Sequence, residues 1–285
     1  MLLRELRETY RRELQQFYSR EETDEIFYRL LDRYLQLPRF VLGLEPEKVL
    51  HREGEQPLFE ALARLKEHEP VQYIIGQAHF MNMVLNVNPS VLIPRPETEE
   101  LVHWIIDSHD FSHGRVLDLG TGSGCIALAL ARKWPGAMVL GMDLSAEALE
   151  TAGSNARALG VGVHFQQGDM CQPLQDPEPF DLIVSNPPYI PADHKPGLDA
   201  HVQGQEPDNA LFAPEGLPLH FYACMVARAA ESLKDGGWVY AEVHRDYADA
   251  VCGLFREAGL TGIQLKKDIF GNPRMVRGCQ QPKQN

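Results

Sequence analysis

The chain has 285 residues, 44% of them hydrophobic, which suffices for a catalytic domain with a smaller companion and a sizeable core in each. A formal net charge of -13 at pH 7 opposes the counterion release that drives binding to a phosphate backbone, so nonspecific nucleic-acid binding is disfavoured. No apolar run reaches bilayer length, and the charged start "MLLRELRETYRREL" lacks an apolar signal region, so a cytoplasmic protein away from the membrane is expected.

Residues 1–72 carry apolar positions at helical spacing, as in "LLRELRETYRRELQQFY" and "LFEALARLKEH", broken by proline and glycine near "QLPRF" and "GLEPEK". The spacing predicts a bundle of four or five short helices. Its acidic and basic residues nearly balance, as on a solvated face. From 73 to 93 the pattern turns to alternation in "HFMNMVLNVNPSVLI", which predicts a β-hairpin linker with "NPS" as its turn. Residues 94–285 then offer strands at 115–119, 138–142, 162–167, 181–185 and 236–242, separated mostly by helical segments. That alternation is the signature of an α/β doubly wound, Rossmann-like, mostly parallel sheet. The tail "GIQLKKDIFGNPRMVRG" adds two strands around "FGNP", an antiparallel end to a seven-stranded sheet. The cysteines, at 125, 171, 224, 252 and 279, stand too far apart for a CxxC pair or a dense disulfide framework, which fits a reducing compartment. The histidines show no metal-ligand spacing, and no metal site is expected.

"RVLDLGTGSGCIALALA" reads as a buried strand, a glycine turn and a helix start, with glycine at 120, 122 and 124. Glycines allow positive φ and let a ligand approach the backbone closely. The dinucleotide fingerprint G-x-G-x-x-G fails because Cys125 stands where its third glycine belongs. Asp118 with this spacing suits a nucleoside carrying a cationic amino-acid group. Asp143 ends the next strand, where a carboxylate can take both ribose hydroxyls. It also precedes "LSAEALE" and could cap that helix. Asp169, ending the third strand, could accept from an adenine amine.

"FDLIVSNPPY" is the fourth strand with its exit loop. In a doubly wound sheet the first and fourth strand ends flank the ligand crevice, so Asn186–Tyr189 and the glycine loop should share it. Proline fixes φ and has no N–H, which leaves the Asn186 side-chain oxygen and the Pro187 carbonyl as rigid acceptors. They can hold the two protons of an amide or aromatic NH2 and draw its lone pair out of conjugation, while Tyr189 stacks on its flat face. Transfer of a methyl group to such a nitrogen needs positioning and electrostatics, and no general base before the methyl has moved.

The set Asp118, Gly120, Gly122, Gly124, Asp143 and Asp169 resembles the S-adenosyl-L-methionine site of Rossmann-like methyltransferases. Across almost its whole length the chain resembles the HemK-type peptide chain release factor glutamine methyltransferases. The resemblance rests on "PVQYIIGQAHF", "VLIPRPETEELV", "DLGTGSG", "NPPY", "EPDNALFAPEGL" and "KDIFGNPR". It implies methylation of the glutamine amide in the Gly-Gly-Gln motif of bacterial release factors, with S-adenosyl-L-homocysteine as the other product, and a helical domain that docks the release factor. Carried over by position, it implies that Thr121, Ser123, Met170 and Asn186 join the cofactor contacts, and that Asn186, Pro187, Pro188 and Tyr189 hold the glutamine with Phe80 as a wall. Two positions depart from the family pattern: Met170 replaces a frequent aromatic, and His244 stands near a usual glycine.

Four other readings use the same sheet. A ribosomal-protein glutamine methyltransferase would share the chemistry and differ in docking surface. An adenine amino-group methyltransferase wants a basic groove and a target-recognition domain that an acidic chain of this length does not show. A cofactor-binding module without turnover has no use for an acceptor pair aimed at a nucleophile, and a nicotinamide-dependent dehydrogenase fails at Cys125.

Overall fold

Buried side chains in the first 76 residues recur three and four positions apart because each helix turns one stripe inward. A computed structural model describes residues 1–174, 178–197 and 202–282. In α1 (Leu3–Leu14) the buried stripe is Leu3, Leu6, Tyr10 and Leu14; in α2 (Arg20–Leu35) it includes Ile26, Phe27, Leu30 and Leu31. Ser19 starts α2 with a reciprocal cap: its hydroxyl accepts from the Glu22 N–H at 3.2 Å and its N–H donates to the Glu22 carboxylate at 2.9 Å. The short α3 (Val41–Leu44), then α4 (Arg52–Lys66) and α5 (Val71–Ile75), complete the bundle. The Tyr10 hydroxyl, buried with its ring, donates to the Leu58 carbonyl of α4.

By its contacts the chain divides into two compact units, Met1–Gly76 with a short later stretch ending at Gln205, and the remainder. The expected domain boundary at residue 72 falls inside α5, and the β-hairpin expected as a linker is grouped with the second unit. That hairpin pairs β1 (Gln77–Phe80) with β2 (Met83–Asn86). Its turn is Met81–Asn82, both at positive φ (47° and 56°), not the expected "NPS". A two-residue turn with both centres left-handed matches the twist of the strands it joins, and asparagine tolerates that conformation. Asn88 of "NPS" instead folds a separate turn, its side-chain oxygen accepting from the Ser90 N–H at 2.9 Å.

After the hairpin come α6 (Pro96–Ser108), β3 (Arg115–Leu119), α7 (Cys125–Lys133), β4 (Met138–Asp143), α8 (Ala146–Leu159), β5 (His164–Gln167) and β6 (Phe180–Ser185). The short elements β7 (Ile190–Pro191), α9 (Asp208–Leu211) and β8 (Phe212–Ala213) follow. The chain then forms α10 (His220–Ser232), β9 (Leu233–Glu242), α11 (Ala248–Glu257), β10 (Thr261–Lys267) and β11 (Pro273–Cys279). The main sheet runs β10-β11-β9-β6-β3-β4-β5, parallel except where β11 pairs with β9 and β10. One face packs on α6 and α7 through Leu101, Val102, Leu128 and Leu130; the other packs on α10 and α11 through Tyr222, Met225, Val251 and Phe255. Among the described residues no helix is long and apolar enough to cross a membrane.

One cysteine pair departs from the sequence reading: Cys171, just past β5, is disulfide-bonded to Cys224 of α10, 53 residues later. Spacing could not reveal it, because the crossover packing of α10 brings the two together.

Asn155, 1% exposed on α8, ties the hairpin to the sheet. Its oxygen accepts from the Asn86 N–H at 2.7 Å, and its amide donates to the carbonyls of Asn86 at 3.0 Å and Ser123 at 2.9 Å. Asn155→Ala leaves three backbone groups without this partner, the Ser123 carbonyl buried and the two of Asn86 half-buried. It should lower stability by about 2–4 kcal/mol, measured by urea denaturation, whereas a loss below about 0.5 kcal/mol would show that the tie carries no weight.

Candidate active site

Strand order reverses between β3 and β6, and in such sheets the crevice beyond that point is where ligands sit. The parallel register sets Leu119 beside Ser185, so Gly120 and Asn186 leave the sheet side by side. The Ser185 hydroxyl donates to the Leu119 carbonyl at 2.6 Å and locks the two strand ends together.

The loop after β3 takes positive φ at Gly120 (71°), Gly122 (55°) and Gly124 (82°). A Cβ at Gly120 or Gly122 would meet nothing within 4 Å, and both line the cleft, so bare backbone faces open space there. Gly124 has a different task. A Cβ there would lie 3.1 Å from Leu128 and 3.2 Å from Ala152, so this glycine lets α7 and α8 close together. The Gly120 and Thr121 N–H groups donate to the Met142 carbonyl of β4 at 2.8 and 2.9 Å.

Asp118 lies under this loop, fully buried, and does not line the cleft as a cofactor contact would. Its Oδ2 accepts from the Thr121 hydroxyl at 2.6 Å and from the Ala127 N–H at 3.2 Å, clamping the loop to the first turn of α7. Its Oδ1 is buried without a hydrogen-bond partner. Burial pushes the carboxyl up to about 7, against the Thr121 and Ala127 hydrogen bonds and with the Asp143 charge in support. Asp143 does line the cleft. Its Oδ2 accepts from the Gly122 N–H at 2.8 Å and its Oδ1 from the Ser145 N–H at 3.0 Å. The helix cap expected of Asp143 is Ser145, whose hydroxyl accepts from the Ala148 N–H at 3.1 Å.

Of the residues singled out in the sequence, one cleft brings together Gly120, Thr121, Gly122, Ser123 and Asp143 with Asp169, Met170, Asn186 and Pro188. Asp169 is oriented by the Cys171 N–H, which donates to its Oδ1 at 2.8 Å. Pro187 and Tyr189 lie outside the lining, although Tyr189 is held close behind it. Phe80 must be reassigned: it is 1% exposed in the core with Met83, Leu101 and Ile126, and offers no surface to a substrate.

Sequence reading missed the groups behind Asn186. The Asn186 amide donates to the Thr98 hydroxyl at 3.1 Å, and Thr98 donates to Glu242 Oε2 at 2.7 Å. The Tyr189 hydroxyl donates to Glu242 Oε1 at 3.1 Å. Burial pushes the Tyr189 hydroxyl up, reinforced by the Glu242 charge. Thr98 lies within "VLIPRPETEELV" and Glu242 two residues before the unusual His244, and neither was singled out in the sequence. The His244 ring now lies 5.9 Å from that of Tyr189. Arg95, at the cleft edge, pairs with Glu206, which is 4% exposed and also accepts from the Ile93 N–H at 3.1 Å. That makes Arg95 an ion-pair partner.

The bare glycine backbone, the acceptor Asp143, and Asp169 beside the apolar Met170 fit a nucleoside with an amino-acid tail, so the cleft suits S-adenosyl-L-methionine. Solved methyltransferases share the fold. A methyltransferase from Pyrococcus furiosus superposes with a TM-score of 0.52 at 15% identity, covering 80% of this chain and 98% of that one. The 16S rRNA N2 G1207 methyltransferase of T. thermophilus, solved with AdoMet and guanosine, gives 0.53 at 21% identity over 72% of this chain and 50% of that one. The protein is a Rossmann-like methyltransferase in fold.

Residues 5–76 match the family model described as the PrmC N-terminal domain, and residues 98–199 match the methyltransferase small domain. Release factor glutamine methyltransferases are similar over nearly full length: 36% identity with that of Flavobacterium psychrophilum over 97% of this chain and 99% of the relative, and 38% with that of Streptococcus pneumoniae over 97% and 98%. The chain belongs to the release factor glutamine methyltransferase family.

Because Asp118 titrates near 7 when folded and near 3.8 when unfolded, the folded protein holds more protons between those values. Stability conferred by the neutral carboxyl is present below the unfolded value and is lost as pH rises through the folded one, at about 1.4 kcal/mol for each intervening pH unit. The ligand-free protein should therefore melt at lower temperature as pH is raised from 5 to 8. Asp118→Asn should flatten that decline, and an unaltered slope in the variant would assign it to another group.

Proposed function

We propose that the protein transfers a methyl group from S-adenosyl-L-methionine to the side-chain amide nitrogen of the glutamine in the Gly-Gly-Gln motif of bacterial peptide chain release factors. Membership of the family supports the reaction, and the site supports it independently: Asn186 and Pro188 share one cleft with the glycine loop. S-adenosyl-L-methionine, when bound, supplies an electrophilic methyl group. Gly120, Thr121, Gly122 and Ser123 would hold it along the loop, Asp143 at the ribose, and Asp169 with Met170 at the adenine.

The chain's own contribution is to hold and polarise the glutamine amide. In this reading the Asn186 oxygen accepts one of its protons and the Pro187 carbonyl, in the adjoining turn outside the cleft lining, accepts the other. Withdrawal of those protons into hydrogen bonds localises the lone pair on nitrogen, and the rigid turn fixes its direction. Tyr189, anchored on Glu242, backs the substrate side of the turn. The helical unit Met1–Gly76 docks the release factor, in the cytoplasm where termination takes place. Nucleic acid is not a partner in this reading, since the chain's net charge of -13 repels it.

The reading is tested by incubating the protein and labelled S-adenosyl-L-methionine with purified release factor, its Gly-Gly-Gln variant lacking glutamine, and a ribosomal-protein control. One methyl on the intact glutamine alone is expected, by peptide mass. Label only on the ribosomal protein would replace the partner while keeping the chemistry. Asn186→Ala removes one of two acceptors and should lower the transfer rate by roughly 100-fold or more with an unchanged melting temperature; a rate near that of the parent would sink the mechanism.

A further inference from the structure

Behind the Asn186 amide lies one chain of hydrogen bonds that ends on a buried carboxylate. Asn186 Nδ2 is 3.1 Å from Thr98 Oγ1, Thr98 Oγ1 is 2.7 Å from Glu242 Oε2, and the Tyr189 hydroxyl is 3.1 Å from Glu242 Oε1. Glu242 is 1% exposed and Thr98 is 2% exposed, so water does not stand in for these contacts.

The chain has a direction, and the ionised carboxylate sets it. A carboxylate only accepts, and a hydroxyl has one proton to give. With that proton committed to Glu242, the Thr98 oxygen can only accept from Asn186, and of the two ends of an amide only the NH2 donates. The Asn186 oxygen is then the end left for the cleft. Reverse any link and the amide turns over, presenting its NH2 to a substrate nitrogen that already carries protons.

We propose that Glu242 and Thr98 are positioning residues for methyl transfer: through Thr98, the Glu242 carboxylate fixes which end of the Asn186 amide faces the acceptor nitrogen. The inference rests on the reading that Asn186 holds the substrate amide. It gives the buried glutamate a task, and the Thr98 and Tyr189 hydroxyls that the task uses also offset the cost of enclosing its charge.

The surroundings of Glu242 define when the direction holds. Burial pushes its carboxyl above the ordinary carboxylate range, the Glu97 charge adds to that, and the Thr98 and Tyr189 hydrogen bonds and the Arg274 guanidinium oppose it. Arg274 is itself shared with Asp268 at 3.3 Å. The Tyr222 hydroxyl donates to the Glu242 main-chain carbonyl at 3.2 Å, and the buried Cys125 thiol feels the same carboxylate. As pH falls through the raised value the carboxyl gains a proton, can donate to Thr98, and releases the amide to turn. Transfer should therefore weaken on the acid side.

The test compares the full-length protein with Glu242→Gln, Thr98→Ser and Thr98→Val in methyl transfer from S-adenosyl-L-methionine to purified release factor across pH. Transfer by the unaltered protein checks the substrate reading, and the ratios between variants check the positioning chain. Glu242→Gln and Thr98→Val should each lower kcat by about 100-fold, the scale of one misplaced polar contact in a reacting site. KM for S-adenosyl-L-methionine should move by less than about threefold, and Thr98→Ser should recover kcat to within about fivefold of the parent. The acid limb of the parent should be missing from Glu242→Gln. A Glu242→Gln enzyme within about threefold of the parent, an acid limb unchanged in it, or Thr98→Ser as impaired as Thr98→Val would each overturn the proposal.

A readout independent of turnover is the side-chain NH2 of Asn186 in protein labelled with 15N at asparagine, identified by its loss in Asn186→Ala. Its protons should exchange slowly with water in the parent and in Thr98→Ser and quickly in Thr98→Val; equal rates in all three overturn the chain. That measurement decides even if the unaltered protein leaves the release factor unmethylated, and the Thr98 pair decides if Glu242→Gln fails to fold.

Discussion

The site depends on one piece of backbone pairing, the parallel register of β3 with β6 that sets Leu119 opposite Ser185. Because the two strands end level, a glycine loop that leaves one and a proline turn that leaves the other open into the same cleft. The residues that build this junction are otherwise plain core: Val116, Leu117, Ile183 and Val184 are fully buried. Their apolar burial from both faces is what a parallel sheet requires, and it holds the loop ends to a precision that the loops could not supply themselves. A slip of one residue in that pairing would turn every side chain on β6 to the opposite face and part Asn186 from the cleft.

Around this junction an acidic chain places negative groups in its interior and gives each a specific partner. Asp118 clamps the glycine loop to α7, Glu206 meets Arg95 beside the cleft, and Glu242 stands behind Asn186. The three differ in how their charge is answered. Glu206 has a guanidinium, whereas Asp118 and Glu242 have mainly hydroxyls and backbone donors, so burial prevails and pushes both carboxyls upward. Near the reacting centre the chain thus uses carboxylates that orient neutral groups and keeps Arg95, which lines the cleft, occupied by Glu206. That suits a reaction whose nucleophile is an uncharged amide and whose geometry must be fixed before the bond forms.

Much of this was legible in the sequence because it obeys local rules. The strand cores are continuous apolar runs, the loop glycines alternate, and "NPPY" follows a strand directly, so the sheet, its antiparallel end and the meeting of the two loops could be placed in advance. What escaped depends on contacts distant in sequence. Phe80, a wall by the family resemblance, packs into the core instead, because the hairpin lies on α8, 69 residues away through Asn86 and Asn155. Asp118 has the right type and position for a ligand, yet the helix that follows turns it inward. Glu242 sits 144 residues from Thr98, and only the sheet order brings them together. The Cys171–Cys224 bond spans 53 residues for the same reason.

The two departures from the family pattern are absorbed by the cores beneath them. Met170 is 8% exposed and belongs to the apolar cluster under β4, β6 and α10, so the wall beside Asp169 stays apolar without a flat ring. An unbranched thioether fills such a gap by adjusting three torsions, trading the geometry of an aromatic face for fit. His244 follows Glu242 by two residues at the end of β9, and a side chain there must go somewhere. It goes among rings, 5.9 Å from Tyr189 and 5.6 Å from Tyr247, and burial holds its imidazole below the ordinary histidine range. A neutral ring at that place adds no second cation to the Arg274 guanidinium that already acts on the Glu242 carboxylate. The direction of the hydrogen bonds leading to Asn186 is then set by the carboxylate's acceptors alone, as it would be with glycine at 244.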